Sequence, residues 1–122
     1  MRARLISSPL RWLRDNDPCY VEVARVLHIG LGLVLGIAAG VAVAADTDRD
    51  LVSVVDLDSQ EARQIKLTAG DEPGRVAIDA AGRAHVVLRR AGEVARIDTG
   101  SATLVDRRQV CPAPRGIAYD AA

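Results

Sequence analysis

A repeat of about 41 residues constrains this chain more than any other feature. Laid in register, GVAVAADTDRDLVSVVDLDS (40–59) matches GRAHVVLRRAGEVARIDTGS (82–101) without a gap. Gly40 falls over Gly82, Ala42 over Ala84, Val52 over Val94, Asp56 over Asp98 and Ser59 over Ser101. PGRVAIDAA (73–81) then lies over PRGIAYDAA (114–122) at an offset one residue shorter. The identities are modest, but turn residues and apolar alternation fall in the same places twice. A unit recurring at this period cannot bury its apolar faces alone and must stack on its neighbours.

Each unit reads as short strands parted by turns. RVAID (75–79) alternates and stops at Ala80-Ala81-Gly82, RAHVVL (83–88) follows, and RRAG turns into EVARID (93–98). TGS turns again into ATLVDRRQV (102–110). Four strands in a unit of this length, repeated, predict β-propeller blades, small antiparallel sheets that pack face to face. The apolar residues suit this. Hydrophobic side chains make up 49% of the chain without a single Phe, leaving Val, Ala, Leu and Ile to build an aliphatic, strand-favouring core.

LVSVVDLDS (51–59) and GDEPGRVAIDAAG (70–82) resemble the YVTN-type, lactonase-like propeller repeat. The second unit diverges, with VARID in place of VSVVD and CPAPRGIAYD in place of the Gly-x-x-Pro segment. The resemblance covers residues 40–122 and implies architecture more than activity, because such propellers host enzymes, binders and scaffolds alike. Since a ring needs about four to eight blades, two units imply a piece of a longer gene product, with ring formation by several copies as the alternative.

The front end carries a different signal. Arginines at 2, 4, 11, 14 and 25 precede an apolar stretch in which His28 is the one strongly polar side chain, and Asp46, Asp48 and Asp50 follow. That asymmetry predicts a cytoplasmic N-terminus and an exported C-terminus. Ala42-Val43-Ala44 fits a small-x-small cleavage site. The repeat register, however, claims 41–45 as a strand, so the hydrophobic segment is confined to 26–39, which suits a signal or anchor helix. LGLVLGI (31–37) can itself be laid over PGRVAID (73–79).

The expected fold class is therefore mainly β: an incomplete β-propeller of about two four-stranded antiparallel blades, preceded by an N-terminal hydrophobic helix. Residues 1–25 form a charged segment, 26–39 the signal or anchor segment and 40–122 the repeat region. Within that region, blade units lie at about 40–72 and 73–110, and a further blade starts at 114–122.

Candidate chemistry is sparse. No nucleophile elbow, zinc-protease helix, P-loop or dinucleotide-binding turn appears, and GLGLVLG (30–36) has the wrong spacing and setting. No catalytic, cofactor-binding or metal residue is assigned. DTDRD (46–50) lacks the glycine and distant glutamate of a calcium loop and reads as a solvated turn. Asp56 and Asp98, and likewise Asp79 and Asp120, recur at strand ends, where a carboxylate caps the following turn. His85 reads as a partly buried or edge histidine, and Cys19 and Cys111, parted by the apolar segment, as free thiols. Arg89, Arg90 and Arg115 lie in turns that would meet at a channel mouth, and they are the candidate contacts for an anion or partner. Sixteen basic residues balance sixteen acidic ones and aromatics are 2% of the chain, which argues against nucleic acid.

The function expected on these grounds is a non-enzymatic propeller piece with a binding or scaffold role in the cell envelope. It would sit in the periplasm or at the cell surface, touching the membrane through 26–39, with further blades or a protein as partner. Two alternatives stand beside it. One is a truncated part of a larger propeller enzyme, either a lactonase-like hydrolase or a redox propeller with a cytochrome module. The other is a small single-pass membrane protein.

Overall fold

Alternating Val, Ala and Ile segments bounded by Asp and Gly turns form strands throughout the computed structural model, which describes residues 20–25, 35–38 and 40–120. In chain order the strands are β1 (Tyr20–Arg25), β2 (Leu35–Ala38), β3 (Val41–Asp46), β4 (Leu51–Asp56) and β5 (Ala62–Lys66), followed by β6 (Pro73–Ile78), β7 (Arg83–Leu88), β8 (Glu93–Asp98), β9 (Thr103–Gln109) and β10 (Gly116–Asp120). Two four-stranded sheets, β2-β3-β4-β5 and β6-β7-β8-β9, are antiparallel meanders in which each strand pairs with its neighbour in sequence. A third, two-stranded sheet joins β1 to β10 in parallel.

The expected N-terminal hydrophobic helix is overturned. No helix occurs among the described residues, and the last part of the supposed segment, Leu35–Ala38, is a strand. It pairs antiparallel with β3 from Leu35↔Ala44 to Ala38↔Val41. The cause is local and tertiary together. Gly40, at φ 76°, makes the tight reversal that a β-hairpin needs and an L-side chain resists. β3 has β4 on one edge and carries the buried Ala42 and Val43, so pairing with β2 satisfies backbone groups on its other edge that are shielded from water. Residues 26–34 lie outside the described set. Among the described residues no helix is long and apolar enough to cross a membrane.

The main core lies between the two four-stranded sheets. Val43, Val52, Val54 and Ile65 of the first meet Val76, Ala84, Val86, Leu88, Ala95 and Ile97 of the second. These are alternate positions along each strand, as a pleated face requires. The opposite face of the second sheet presents Ala77, Val87 and Val94 to Ile117 of β10, with Val110 and Tyr119 at the margin. Polar ties fix the two sheets at both ends. The Thr47 hydroxyl donates to the Pro73 carbonyl at 2.8 Å. Arg63 donates to the carbonyls of Gly100 at 3.1 Å and Thr99 at 3.4 Å.

Parallel pairing of β1 with β10, including Tyr20↔Gly116 and Val21↔Ile117, brings the front of the chain beside its last strand. The expectation of free thiols rested on those two regions being kept apart. It is corrected: Cys111 is disulfide-bonded. The chain's other cysteine, Cys19, lies outside the described residues.

Candidate binding groove

The turns divide between two ends of the sheets. One end carries the repeated aspartates, which cap their turns as their spacing predicts. Asp56 accepts from the backbone N–H of Asp58 and Ser59, both at 2.9 Å. Asp98 accepts from the Ser101 N–H at 2.9 Å and its hydroxyl at 3.1 Å. Asp79 accepts from the N–H groups of Ala81 and Arg83 at 2.9 and 3.0 Å. Its second oxygen meets His85 Nε2 at 2.9 Å, a partner for the buried histidine that the sequence does not announce. The Asp120 side chain lies outside the described residues.

The other end is organised by the crossover between β5 and β6. Asp50, expected to be a solvated turn residue, instead accepts from the N–H groups of Gly70 and Glu72, both at 2.8 Å, and so ties this crossover to the first sheet. From the second sheet, Arg107 grips the same loop. Its two terminal nitrogens reach Asp71 at 2.8 and 2.9 Å, one of them also reaches the Thr68 hydroxyl at 3.2 Å, and Nε donates to Glu93 at 2.6 Å. The Asp71 side chain is only 6% exposed, so this is a shielded ion pair. The hydrogen bond to Asp71 pushes the Arg107 pKa up against the opposing effect of burial.

Between the anchored crossover and the β7–β8 turn lies an open groove of about 580 Å³, lined by Glu72, Arg89, Arg90, Ala91, Gly92, Gln109, Pro112 and Ala113. Its shape follows from backbone bonds. Arg89 N–H donates to the Glu72 carbonyl at 3.1 Å and Arg90 N–H to the Asp71 carbonyl at 3.2 Å, which docks the turn on the crossover. Gly92, at φ 71°, permits a close approach. A Cβ there would stand 2.8 Å from the Cys111 carbonyl oxygen and 2.9 Å from the Gln109 amide nitrogen. Gln109 donates to the carbonyls of Gly92 and Ala91 at 3.0 and 3.4 Å, which holds β9 to the turn.

Of the three arginines singled out from the sequence, the structure brings Arg89 and Arg90 together on the groove. Arg115 is exposed and is not among its lining residues. Glu72 and Gln109 were not foreseen, since nothing in their spacing marks them and their position depends on the fold of two crossovers. Among the described residues no group of His, Cys, Asp and Glu is placed to hold a metal ion.

The anchoring carboxylates make a pH prediction. Backbone N–H groups of Gly70 and Glu72 hold Asp50 below the usual carboxylate range. Those of Ser59 and Asp58 do so for Asp56, and the Ser101 N–H and hydroxyl for Asp98. Burial pushes Asp79 up, but the His85 bond and the N–H groups of Arg83 and Ala81 outweigh it and leave the group depressed. A depressed folded-state pKa means the folded chain binds fewer protons than the unfolded one. Its contribution is therefore complete above the ordinary value of 3.8 and is lost as pH falls through the folded value. Melting followed by circular dichroism should accordingly show a midpoint that drops steeply below about pH 4. A midpoint unchanged down to pH 2 would show that these bonds do not hold the carboxylates.

No family model matches the chain, and no curated protein matches it. Solved structures do: one described as apo AztD from Citrobacter koseri matches 67% of this chain at 16% identity with a TM-score of 0.55. A second, the crystal structure of Citrobacter koseri AztD, matches 67% at 17% identity, also with a TM-score of 0.55. The likeness is one of fold, that of repeated propeller-like sheets. The chain spans about a quarter of the length of the proteins it matches, 23% and 24%.

Proposed function

We propose that this chain is a segment of an exported β-propeller of the YVTN-type, lactonase-like kind, with a binding or scaffold role in the cell envelope. The observation that carries this reading is the pair of consecutive meander sheets packed face to face, with β10 seated on the far face of the second. Sheets of this kind bury both faces against neighbours, so further blades or a protein are the natural partners. The side chains lining the groove are a carboxylate, two guanidinium groups and a primary amide, which are groups suited to recognition. Export is supported by the disulfide at Cys111, since such bonds persist in the periplasm and outside the cell and are rare in a reducing cytosol.

Expression of the full chain in a Gram-negative host tests this. Cell fractionation should recover it from the periplasmic fraction, with Cys111 unreactive to maleimide until a reductant is added. Recovery from the cytoplasm with Cys111 reactive from the outset would overturn the assignment to the envelope.

A further inference from the structure

We infer that the groove between the β5–β6 crossover and the β7–β8 turn binds a small zwitterion, a molecule carrying one carboxylate and one ammonium group on an aliphatic body. This deepens the binding role proposed above and rests on it. Three observations carry it.

The first is that both signs of charge line the groove without neutralising one another. Neither Arg89 nor Arg90 forms a side-chain ion pair or hydrogen bond among the described residues, and neither does the Glu72 carboxylate. The other charges nearby are already engaged. Arg107 satisfies Asp71 and Glu93. Asp50 accepts from two backbone N–H groups and is drawn on by the charge of Arg90, so that Arg89 and Glu72 are the two least engaged charges. Unpaired charges that share a cavity are available to a ligand of complementary charges, and both signs together specify a zwitterion over a simple anion.

The second is that the backbone carrying these charges is fixed. Glu72 donates its N–H to Asp50 and accepts Arg89 N–H at its carbonyl, so its main chain is held on both sides while its carboxylate stays unused. The arginine stems lie against glycines. A Cβ on Gly74 would stand 3.6 Å from Arg89 Cδ, and one on Gly70 would stand 3.9 Å from Arg90 Cδ. Each stem thus passes over bare backbone beside the groove, with the side chain itself exposed to solvent.

The third is size and lining. The groove is open, about 580 Å³, and Ala91, Pro112 and Ala113 supply an apolar wall for an aliphatic body. In this geometry the guanidinium groups take the carboxylate and Glu72 takes the ammonium.

Calorimetric titration of the full oxidised chain with three probes tests the inference: L-leucine, 4-methylpentanoate (which lacks the ammonium) and 3-methylbutylamine (which lacks the carboxylate). Leucine should bind at least about tenfold more tightly than either half-ligand. Glu72→Gln should reduce leucine to the level of 4-methylpentanoate and leave that acid's affinity within about twofold. The double variant Arg89→Ala/Arg90→Ala should abolish binding of both carboxylates, and circular dichroism on each variant verifies that it is folded. Equal affinity for leucine and 4-methylpentanoate would show an anion site and overturn the inference, as would absence of binding by all three probes. Either result, obtained with an exported chain whose Cys111 is oxidised, overturns the zwitterion site and leaves the envelope reading standing. A cytoplasmic, reduced chain overturns that reading separately.

Discussion

Replacing Arg107 with alanine is expected to destabilise the chain by about 3 kcal/mol, because it strands a carboxylate shielded from water. Asp71 lies in the crossover, with its side chain 6% exposed, and Glu93 shares the same guanidinium at 24% exposure. Both would lose their counter-charge at once. Arg107→Lys should recover less than half of the loss, since an ammonium cannot reproduce a planar fork that meets both Asp71 oxygens and Glu93 together. Replacing the pair by apolar residues, Arg107→Met with Asp71→Leu, should cost less than Arg107→Ala alone, since the more deeply buried carboxylate is gone and only Glu93, 24% exposed, is left without its counter-charge. Urea denaturation of the full chain reads all three. A loss under about 0.5 kcal/mol for Arg107→Ala would place the pair among surface ion pairs and remove the crossover anchor from the account.

The Arg107 anchor also shows where sequence reading ends. Arg107 and Arg108 are adjacent in an exposed outer strand, and no pattern separates them. The register does. A bulge between Arg96 and Ile97 shifts β9 so that Arg107 lies opposite Ala95, on the face turned toward the first sheet, and Arg108 opposite Val94, on the other face. What the sequence does carry are local features. RAHVVL and EVARID are read as strands and are observed as strands at 83–88 and 93–98, and Asp98 at the end of the second marks a capped turn. Non-local features were not legible. LGIA at 35–38 is apolar at every position, so periodicity alone cannot tell a strand from part of a helix, and pairing with β3 decides it. YVEVAR at 20–25 is a strand whose partner is β10, near the opposite end of the chain. In the groove, the Arg89-Arg90 pair is conspicuous as text. Glu72 matters through the bonds that hold its backbone, and those depend on Asp50, in a different sheet.

Leu88→Ala should be the most damaging change in the aliphatic core, with a loss of about 3 to 4 kcal/mol. The side chain is fully buried between the two sheets, lying opposite Pro73 on one neighbouring strand and Glu93 on the other. There is no Phe in the chain, the buried residues around Leu88 are Val, Ala and Ile, and Leu67 packs only at the margin of the cluster, so most of the cavity should persist. Leu104→Ala is the matched control. It removes the same atoms from a position already 38% exposed and should cost under about 1 kcal/mol. The contrast separates burial from side-chain chemistry, and equal losses at the two positions would mean that the sheets do not pack as described. The effect should also reach the groove. Leu88 is the last residue of β7, its carbonyl accepts the Gly92 N–H at 2.9 Å, and the next two residues are the groove arginines. Loosening Leu88 therefore loosens the turn that aims both guanidinium groups. Leucine affinity should fall in Leu88→Ala even under conditions where that variant remains folded, and should be unchanged in Leu104→Ala.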